Sequence, residues 1–332
     1  MTKLIGINAR FRLKKAGGVE KWSSSVVNLL NGNTNCEYIE FTPHKWCSRG
    51  SLGHLWEQFV LPVRARKCDL LFSPGNWGPL LCPDQLLVIH DVIPLTHPEL
   101  FSKRYTVLFR LLGYLMAHRV KSVITVSDYS KSEIHRMLRV PQDRILIVGG
   151  GINTNERLLP SGQNNSFLFL GGDNLRKNLA FLLEMWPEVY AISNHTLLVI
   201  HQVASKSYKT THLPEIPGVV YISNPSDEEL RKLYSTSKAV LSPSIAEGLG
   251  LPLIEAMLQG RPFVSSKTGI TLELQPKGCS VLELDSKLWL DTILQIAQSE
   301  NTYNPKLVRI AETFTWQKVA DHLNVIFSRK SF

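Results

Sequence analysis

Residues 167–184 read FLFLGGDNLRKNLAFLLE, a stretch that changes character in the middle. Phe167 to Leu170 form a run with no polar face, Gly171 and Gly172 interrupt it, and Arg176 and Lys177 open a helical segment. A run that is apolar throughout suits a strand covered on both faces, and a glycine pair suits the turn that leads out of it. One strand, one turn and one helix are thus written into 18 consecutive residues.

The same unit recurs on either side. KLIGIN, DLLFS, QLLVIHD, SVITVS and RILIVG precede it, and TLLVIH, GVVYIS, AVLSPS and PFVSS follow it. Strands that alternate with helical-period segments imply parallel sheets. With 332 residues and 44% apolar composition, the chain is long enough for two such domains, each with its own core. Residues 149–165, GGGINTNERLLPSGQNN, lack periodicity and read as the connection. The expected organisation is a first doubly wound domain over 1–150, a linker over 151–165, a second doubly wound domain over 166–313, and a terminal segment over 314–332.

In open α/β sheets ligands bind beyond the carboxyl ends of the strands. The residues that stand there are Gly17 and Gly18, His90 and Asp91, Gly171 and Gly172, and Ser242 to Gly250. Residues 242–262 read SPSIAEGLGLPLIEAMLQGRP: Gly248 and Gly250 permit a tight turn, Pro252 suits the first turn of a helix, and Gly260 ends it. The amides of such a turn can meet a diphosphate. Glu247, before the turn, can accept from sugar hydroxyls, and Glu255, one turn into the helix, from both hydroxyls of a ribose. By spacing alone, a helix start dressed with acids for dipole compensation is the stronger account.

The stretch SPSIAEGLGLPLIEAMLQGRPFVSS resembles the signature of the family 4 retaining glycosyltransferases, and the similarity continues through IHDVIPLTHPELF, SVITVSDYSKSEI, FLFLGGDNLRKNLAFLLE, SDEELRKLYSTSKAVLSPS and FTWQKVADHL. The resemblance implies the GT-B fold, two facing Rossmann-like domains around a cleft that closes to assemble the site. It implies transfer of a sugar from a nucleoside diphosphate donor with retained anomeric configuration. Glu247 would touch the sugar and Glu255 the ribose, with Gly248, Leu249 and Gly250 between them against the donor. The 314–332 helix would cross back onto the first domain. In place of the family's usual Arg after the first glycine of its loop stands Gly172, so neutralisation of the donor phosphates is expected from Arg176 and Lys177; Leu249 is a second departure.

Arg176 and Lys177, cations at a strand's end, suit a departing diphosphate, one as a bidentate fork and the other as a point charge. His90 ends a strand; by residue type it is a structural histidine or a site group, and by the resemblance it faces the transferred sugar through main chain or imidazole. Gly17 and Gly18 form a weak glycine loop that the resemblance places near the donor phosphates and the acceptor, with Arg12, Lys14 and Lys15 suited to a phosphorylated acceptor. Ser127 and Ser130 read as a helix cap and first turn. No Asp-x-Asp string is present, so neither cofactor nor metal is expected.

The formal charge of +9 is uneven: residues 1–160 hold 21 Lys and Arg against 12 Asp and Glu, and residues 161–332 hold 16 against 16. A positive first half points to an acidic partner, such as an anionic membrane surface or a phosphorylated acceptor. LGHLWEQFVLPVRARK carries Leu52, Leu55, Trp56, Phe59, Val60 and Val63 at helical spacing beside Arg64, Arg66 and Lys67, and KRYTVLFRLLGYLMAHR is a second basic, apolar helix. Such stripes either cover the sheet or meet a bilayer. Arg110 and His118 break the longest apolar stretch, well short of the roughly 18 residues of a spanning helix. Nucleic acid is not expected as a partner, because no recognition motif or stacking aromatic array accompanies the charge. The N-terminus, which reads as a strand, and five cysteines without paired spacing suit a cytoplasmic protein, peripheral at most to the inner face of the cell membrane.

The expected function is therefore transfer of a hexose, mannose foremost, to a lipid-linked or saccharide acceptor in polysaccharide, O-antigen or lipopolysaccharide biosynthesis. Two alternatives remain: a GT-B sugar-nucleotide epimerase, separated by whether donor consumption depends on an acceptor, and a basic binding module without enzymatic activity.

Overall fold

The computed structural model describes residues 2–14, 17–30, 36–45, 50–158, 162, 165–172, 174–201 and 213–329. Two compact units emerge, one from Met1–Thr96, Arg104–Gly151 and Thr315–Phe332, the other from His97–Lys103 and Ile152–Phe314.

The first unit is built on a six-stranded sheet of β1 (Lys3–Asn8), β2 (Cys36–Phe41), β3 (Leu70–Ser73), β4 (Gln85–Val88), β5 (Ser122–Thr125) and β6 (Ile145–Ile147), in the order β2-β1-β3-β4-β5-β6. The second has β7 (Ser166–Leu170), β8 (Thr196–His201), β9 (Val219–Ser223), β10 (Val240–Ser242), β11 (Phe263–Ser266) and β12 (Ser280–Leu282), in the order β12-β11-β10-β7-β8-β9. Every pairing is parallel. All ten apolar runs are strands, and the doubly wound α/β reading holds in both halves. Central strands such as β3, β4 and β5 are buried along their whole length, as continuous apolar runs require.

Each sheet has one point where strand order reverses. In the first it lies between β1 and β3; in the second, between β7 and β10, with Val240 of β10 opposite Leu168 of β7. At such a point the connections leave in opposite directions, and the loops splay to leave a crevice at the strands' carboxyl ends. The chemistry-bearing loops of each unit therefore start from known places.

Helix Gly18–Leu30 follows β1, and helix Trp316–Ser328 packs against it, held further by Lys3 Nζ on the Phe327 carbonyl at 3.1 Å and by Tyr38 Oη on Asn324 at 2.9 Å. Trp77, at the end of the β3 side, meets His54 and Phe109 edge-on at 5.1 and 5.6 Å. It thereby joins the helical run over 50–65 to helix Lys103–Arg119. The run is three consecutive pieces, Gly50–Leu55, a π-helical Trp56–Val60, and Leu61–Ala65.

These two elements do not bury their apolar stripes. Of the six residues named at helical spacing, Trp56 is buried, while Leu52, Leu55, Phe59, Val60 and Val63 are exposed, Phe59 at 65%. Sheet cover comes instead from residues between them, including Leu61 and Ala65. Helix Lys103–Arg119 likewise turns Phe109, Met116 and Ala117 inward and leaves Val107, Leu108, Leu111, Tyr114 and Leu115 outside.

Candidate functional site

The second unit gathers four of the predicted side chains at its switch point. The Asn174 side chain accepts from the Arg176 amide, which winds Leu175–Lys177 into a 3-10 turn. Asn178 then takes a left-handed conformation, so helix Leu179–Ser193 starts only after the two cations. Arg176 and Lys177 do not open that helix; they sit on the turn in front of it. The turn is tied to the loop beyond β10, where the Ile245 amide donates to the Arg176 carbonyl at 2.9 Å.

Glu247 lies on that loop and receives both cations. Arg176 Nη1 is 2.8 Å from Oε2, and Lys177 Nζ is 2.5 Å from Oε1. Ser244 Oγ donates to Oε1 at 2.8 Å, and Arg176 Nη1 also reaches the Ala246 carbonyl at 2.8 Å. The three charged side chains are 10% to 14% exposed. Burial opposes ionisation of Glu247, but Arg176 and Lys177 overcome it and hold the carboxyl down to about 2. For Lys177 burial is the larger effect and lowers the ammonium pKa against the pull of Glu247, with Arg176 acting in the same direction as burial. Two cations share one carboxylate, so the cluster keeps one net positive charge where an anion can approach.

Gly250 opens helix Leu251–Leu258 at φ +88°, with Pro252 in its first turn, and Gly260 follows its end at φ +69°. Gly248, Leu249 and Gly250 are buried along the turn. Glu255 stands in the helix, accepts from Tyr234 Oη at 2.8 Å, and contributes to the field at Lys177. Arg176, Lys177, Glu247 and Glu255 thus belong to one site. Gly172 borders it at φ +50°, where a Cβ would lie 2.6 Å from His201 Nδ1 and 3.0 Å from His201 Cα. Any side chain at 172 would run into the end of β8, which is the physical reason for glycine there.

Ser244, within the stretch already named, orients the carboxylate. Two partners had no signal of their own in the sequence: Tyr234 meets Glu255 from another helix, and Gly269, at φ +57°, lets the loop after β11 close on Glu247. A Cβ at 269 would stand 3.0 Å from both Cβ and the carbonyl oxygen of Glu247.

In the first unit His90 is 7% exposed. Its amide donates to Asn76 Oδ1 at 2.8 Å, its carbonyl accepts from Ser130 Oγ at 3.0 Å, and Nε2 is 2.9 Å from the Pro74 carbonyl. A carbonyl can only accept, so Nε2 carries the proton and Nδ1 is the ring atom left for a ligand. Burial lowers the imidazole pKa to about 4 and keeps the ring neutral. The His90 amide and one lone pair of its carbonyl are thus committed to the fold. Ser127 caps helix Asp128–Leu138 by accepting from the Ser130 amide.

Gly17 and Gly18 precede and begin helix Gly18–Leu30, neither at positive φ; a Cβ at 17 would meet Glu20 at 2.9 Å, and one at 18 would meet nothing within 4 Å. Arg12 grips Glu40 with Nε at 2.5 Å and Nη2 at 2.7 Å, Lys14 is 3.8 Å from Glu20, and Lys15 lies outside the described residues. A polar cluster that the sequence did not single out stands at the β1–β3 switch point: Arg10 pairs with Glu57, which also accepts from Asn8 Nδ2 at 3.0 Å. Burial raises the Glu57 pKa, but His54, Arg10 and Asn8 outweigh it and keep the carboxyl below its ordinary value.

A sequence model of the family described as Glycosyl transferases group 1 matches residues 164–299, and one of Glycosyltransferase Family 4 matches residues 42–156. The O-antigen chain mannosyltransferase RfbU of Salmonella typhimurium is 29% identical over 247 residues, 73% of this chain and 69% of that protein. The O-antigen chain mannosyltransferase B of Escherichia coli is 26% identical over 223 residues, 61% of this chain and 58% of that protein. Among solved structures, Anabaena HepE, crystallised with UDP and glucose, superposes with a TM-score of 0.73 at 15% identity, covering 99% of this chain and all of that one.

Proposed function

We propose that the chain is a family 4 glycosyltransferase that transfers a hexose, mannose foremost, from a nucleoside diphosphate donor to a lipid-linked or saccharide acceptor with retention of anomeric configuration. The product belongs to surface polysaccharide, O-antigen or lipopolysaccharide assembly; relatives named O-antigen mannosyltransferases support the sugar and the pathway. One observation carries the site assignment: two buried cations on one carboxylate at the β7–β10 switch point.

A diphosphate entering there takes Arg176 and Lys177, and Glu247, released from them, accepts hydrogen bonds from the sugar. Glu255 accepts from the ribose, and the turn over Gly248, Leu249 and Gly250 lies against the donor. The bond from the anomeric carbon to the phosphate oxygen breaks while the acceptor oxygen bonds to the same carbon from the same face. The acceptor's proton passes to the departing phosphate. Arg176 and Lys177 stabilise the charge that builds on that phosphate, a task for which pre-placed cations in a dry site are suited. His90 offers Nδ1 as an acceptor to a sugar hydroxyl, and the loop at Gly17 and Gly18 borders the donor and acceptor. Neutralisation by side chains leaves no step that calls for a divalent metal.

The same proposal takes an anionic membrane as the surface on which the acceptor is met, from the cytoplasmic side. Leu55, Phe59 and Val63 of the 50–65 run and Val107, Leu111 and Leu115 of helix Lys103–Arg119 are exposed, and Leu81 between them is 65% exposed. Gln58, bonded to Gly78 and Leu80, and Arg119, bonded to the Leu80 carbonyl, tie both elements to the intervening loop, and we take these side chains as one apolar face. Arg64, Arg66, Lys67, Arg104 and Arg110, in or next to the same two elements, are exposed as well. Exposed apolar side chains with cations close by in sequence favour an anionic bilayer over a second, equally basic copy.

A thermal-shift panel of GDP, UDP and their sugar conjugates tests the function, since a ligand at 100 times its Kd adds about 2.7 kcal/mol of stability. Stabilisation by a nucleoside diphosphate, and acceptor-dependent consumption of its sugar conjugate, are the expected results. An indifferent melting curve throughout the panel, or consumption without acceptor, would overturn the reading.

A further inference from the structure

Helix Asp227–Thr236 ends inside the second unit, and the way it ends controls Glu255. Its start is exposed and capped by Ser226 and Glu229. Its last turn is buried, with Tyr234 3% exposed. The carbonyl of Ser235, one of the helix-terminal carbonyls without an intrahelical partner, is taken by Arg261, whose Nε donates at 2.8 Å and whose Nη2 donates as well. Arg261 is 1% exposed, and its own amide is tied to the Ala256 carbonyl at 2.9 Å. One buried guanidinium therefore fixes the end of helix Asp227–Thr236 against the end of helix Leu251–Leu258. Tyr234, one residue before the gripped carbonyl, is directed at Glu255, and its hydroxyl donates to Oε2 at 2.8 Å.

We propose that Tyr234 is the positioning residue for the ribose-binding carboxylate: its hydroxyl holds Glu255 in the rotamer that accepts the ribose hydroxyls, and Arg261 holds Tyr234. This rests on Glu255 binding ribose. A glutamate has three rotatable side-chain bonds, and a half-buried one without an anchor spends its time among several rotamers. A short bond from a buried phenol to a carboxylate is charge-assisted and fixes one of them. Burial and the negative charge of Glu255 hold the proton on Tyr234, whose pKa is raised well above its ordinary value of 10, so the phenol remains a donor at neutral pH. The effect reaches one part of the donor, the ribose, and not the phosphates or the base.

The test compares Tyr234→Phe, Glu255→Gln and the double variant for binding of GDP and 2′,3′-dideoxy-GDP by calorimetry, with UDP and its dideoxy form run alongside. Tyr234→Phe keeps the ring and removes only the donor. The expected result is a Kd for the ribonucleotide raised about tenfold by either single variant, a Kd for the dideoxynucleotide within twofold of the parent, and no further loss in the double variant. Equal weakening of both nucleotides by Tyr234→Phe would mean that the hydroxyl only stabilises the helix pair. If Glu255→Gln separates the nucleotides and Tyr234→Phe does not, positioning is refuted while the ribose role stands. If Glu255→Gln fails to separate them, the ribose role falls and takes the positioning role with it. Should Tyr234→Phe lower the melting temperature too far for calorimetry, Arg261→Lys perturbs the same hydroxyl from one step away and must show the same preference for ribonucleotide loss.

Discussion

Replacing Glu247 by Gln removes the charge that two cations share and leaves the shape. Arg176 and Lys177 hold the carboxyl from its ordinary 4.5 down to about 2 against burial, which at about 1.36 kcal/mol per pH unit corresponds to about 3 kcal/mol of preferential interaction with the ionised form. The Gln carbonyl keeps one acceptor, so this figure is a ceiling. A carboxyl with a depressed folded-state pKa contributes its stability in full above its unfolded value and loses it as pH falls through the folded value. The stability gap between parent and Glu247→Gln should therefore be constant from pH 7 to about 5, then close below about 4.5 by at most 1.4 kcal/mol per pH unit. Urea melts followed by the buried Trp186 and Trp289 of the same unit give the gap, with equal slopes required for the comparison. The substitution also frees Arg176 and Lys177 for an incoming anion. Because a diphosphate no longer competes with a carboxylate for the two cations, nucleoside diphosphate affinity should rise in Glu247→Gln while sugar transfer is lost. Three results would refute this picture: no gap at pH 7, a gap that ignores pH below 4.5, or a diphosphate bound more weakly by the variant.

Gly269→Ala should cost about 1 to 2 kcal/mol by urea melts, because position 269 has φ +57° and its new Cβ would press on Glu247, and transfer should fall more than nucleotide binding. Activity should survive saturating EDTA unchanged after extensive dialysis, and its loss with recovery on added magnesium would remove Arg176 and Lys177 from sole charge of the leaving phosphate. Phe59→Asp combined with Leu111→Asp should release the protein from vesicles of one-third phosphatidylglycerol in flotation, without changing transfer to a soluble acceptor; retention on the vesicles would contradict the membrane face.

The sheets were legible because they are parallel and covered on both faces, so strands such as SVITVS and FLFLGG are apolar along their whole length. The two strands missed, β2 and β12, are sheet edges: β2 reads CEYIEF with Glu37 and Glu40 exposed, and β12, SVL, is only half-buried and runs straight into Glu283, so neither offers an apolar run. The helical stripes were legible as stripes but not as inside or outside. Periodicity gives the angle between side chains and leaves open which direction faces the sheet, and for the 50–65 run the inward residues are Trp56, Leu61 and Ala65.

The site divides in the same manner. Arg176, Lys177, Glu247 and Glu255 stand in two short stretches whose residue types already suit a charged, hydroxylated ligand, so each could be named from its own neighbourhood. Their mutual pairing could not, since 70 residues separate Lys177 from Glu247, and only the adjacency of β7 and β10 brings their loops together. Tyr234 and Gly269 are harder still: a tyrosine late in an amphipathic helix and a glycine after a threonine have ordinary structural explanations. What makes them part of the site is contact with a carboxylate that belongs to another element. The consequence is a division of labour. The residues legible in sequence carry charge to the donor, and those legible only in the fold decide where that charge points; substitutions in the second group should therefore loosen how the donor is held, Tyr234 at the ribose and Gly269 at Glu247, while the charges themselves stay in place.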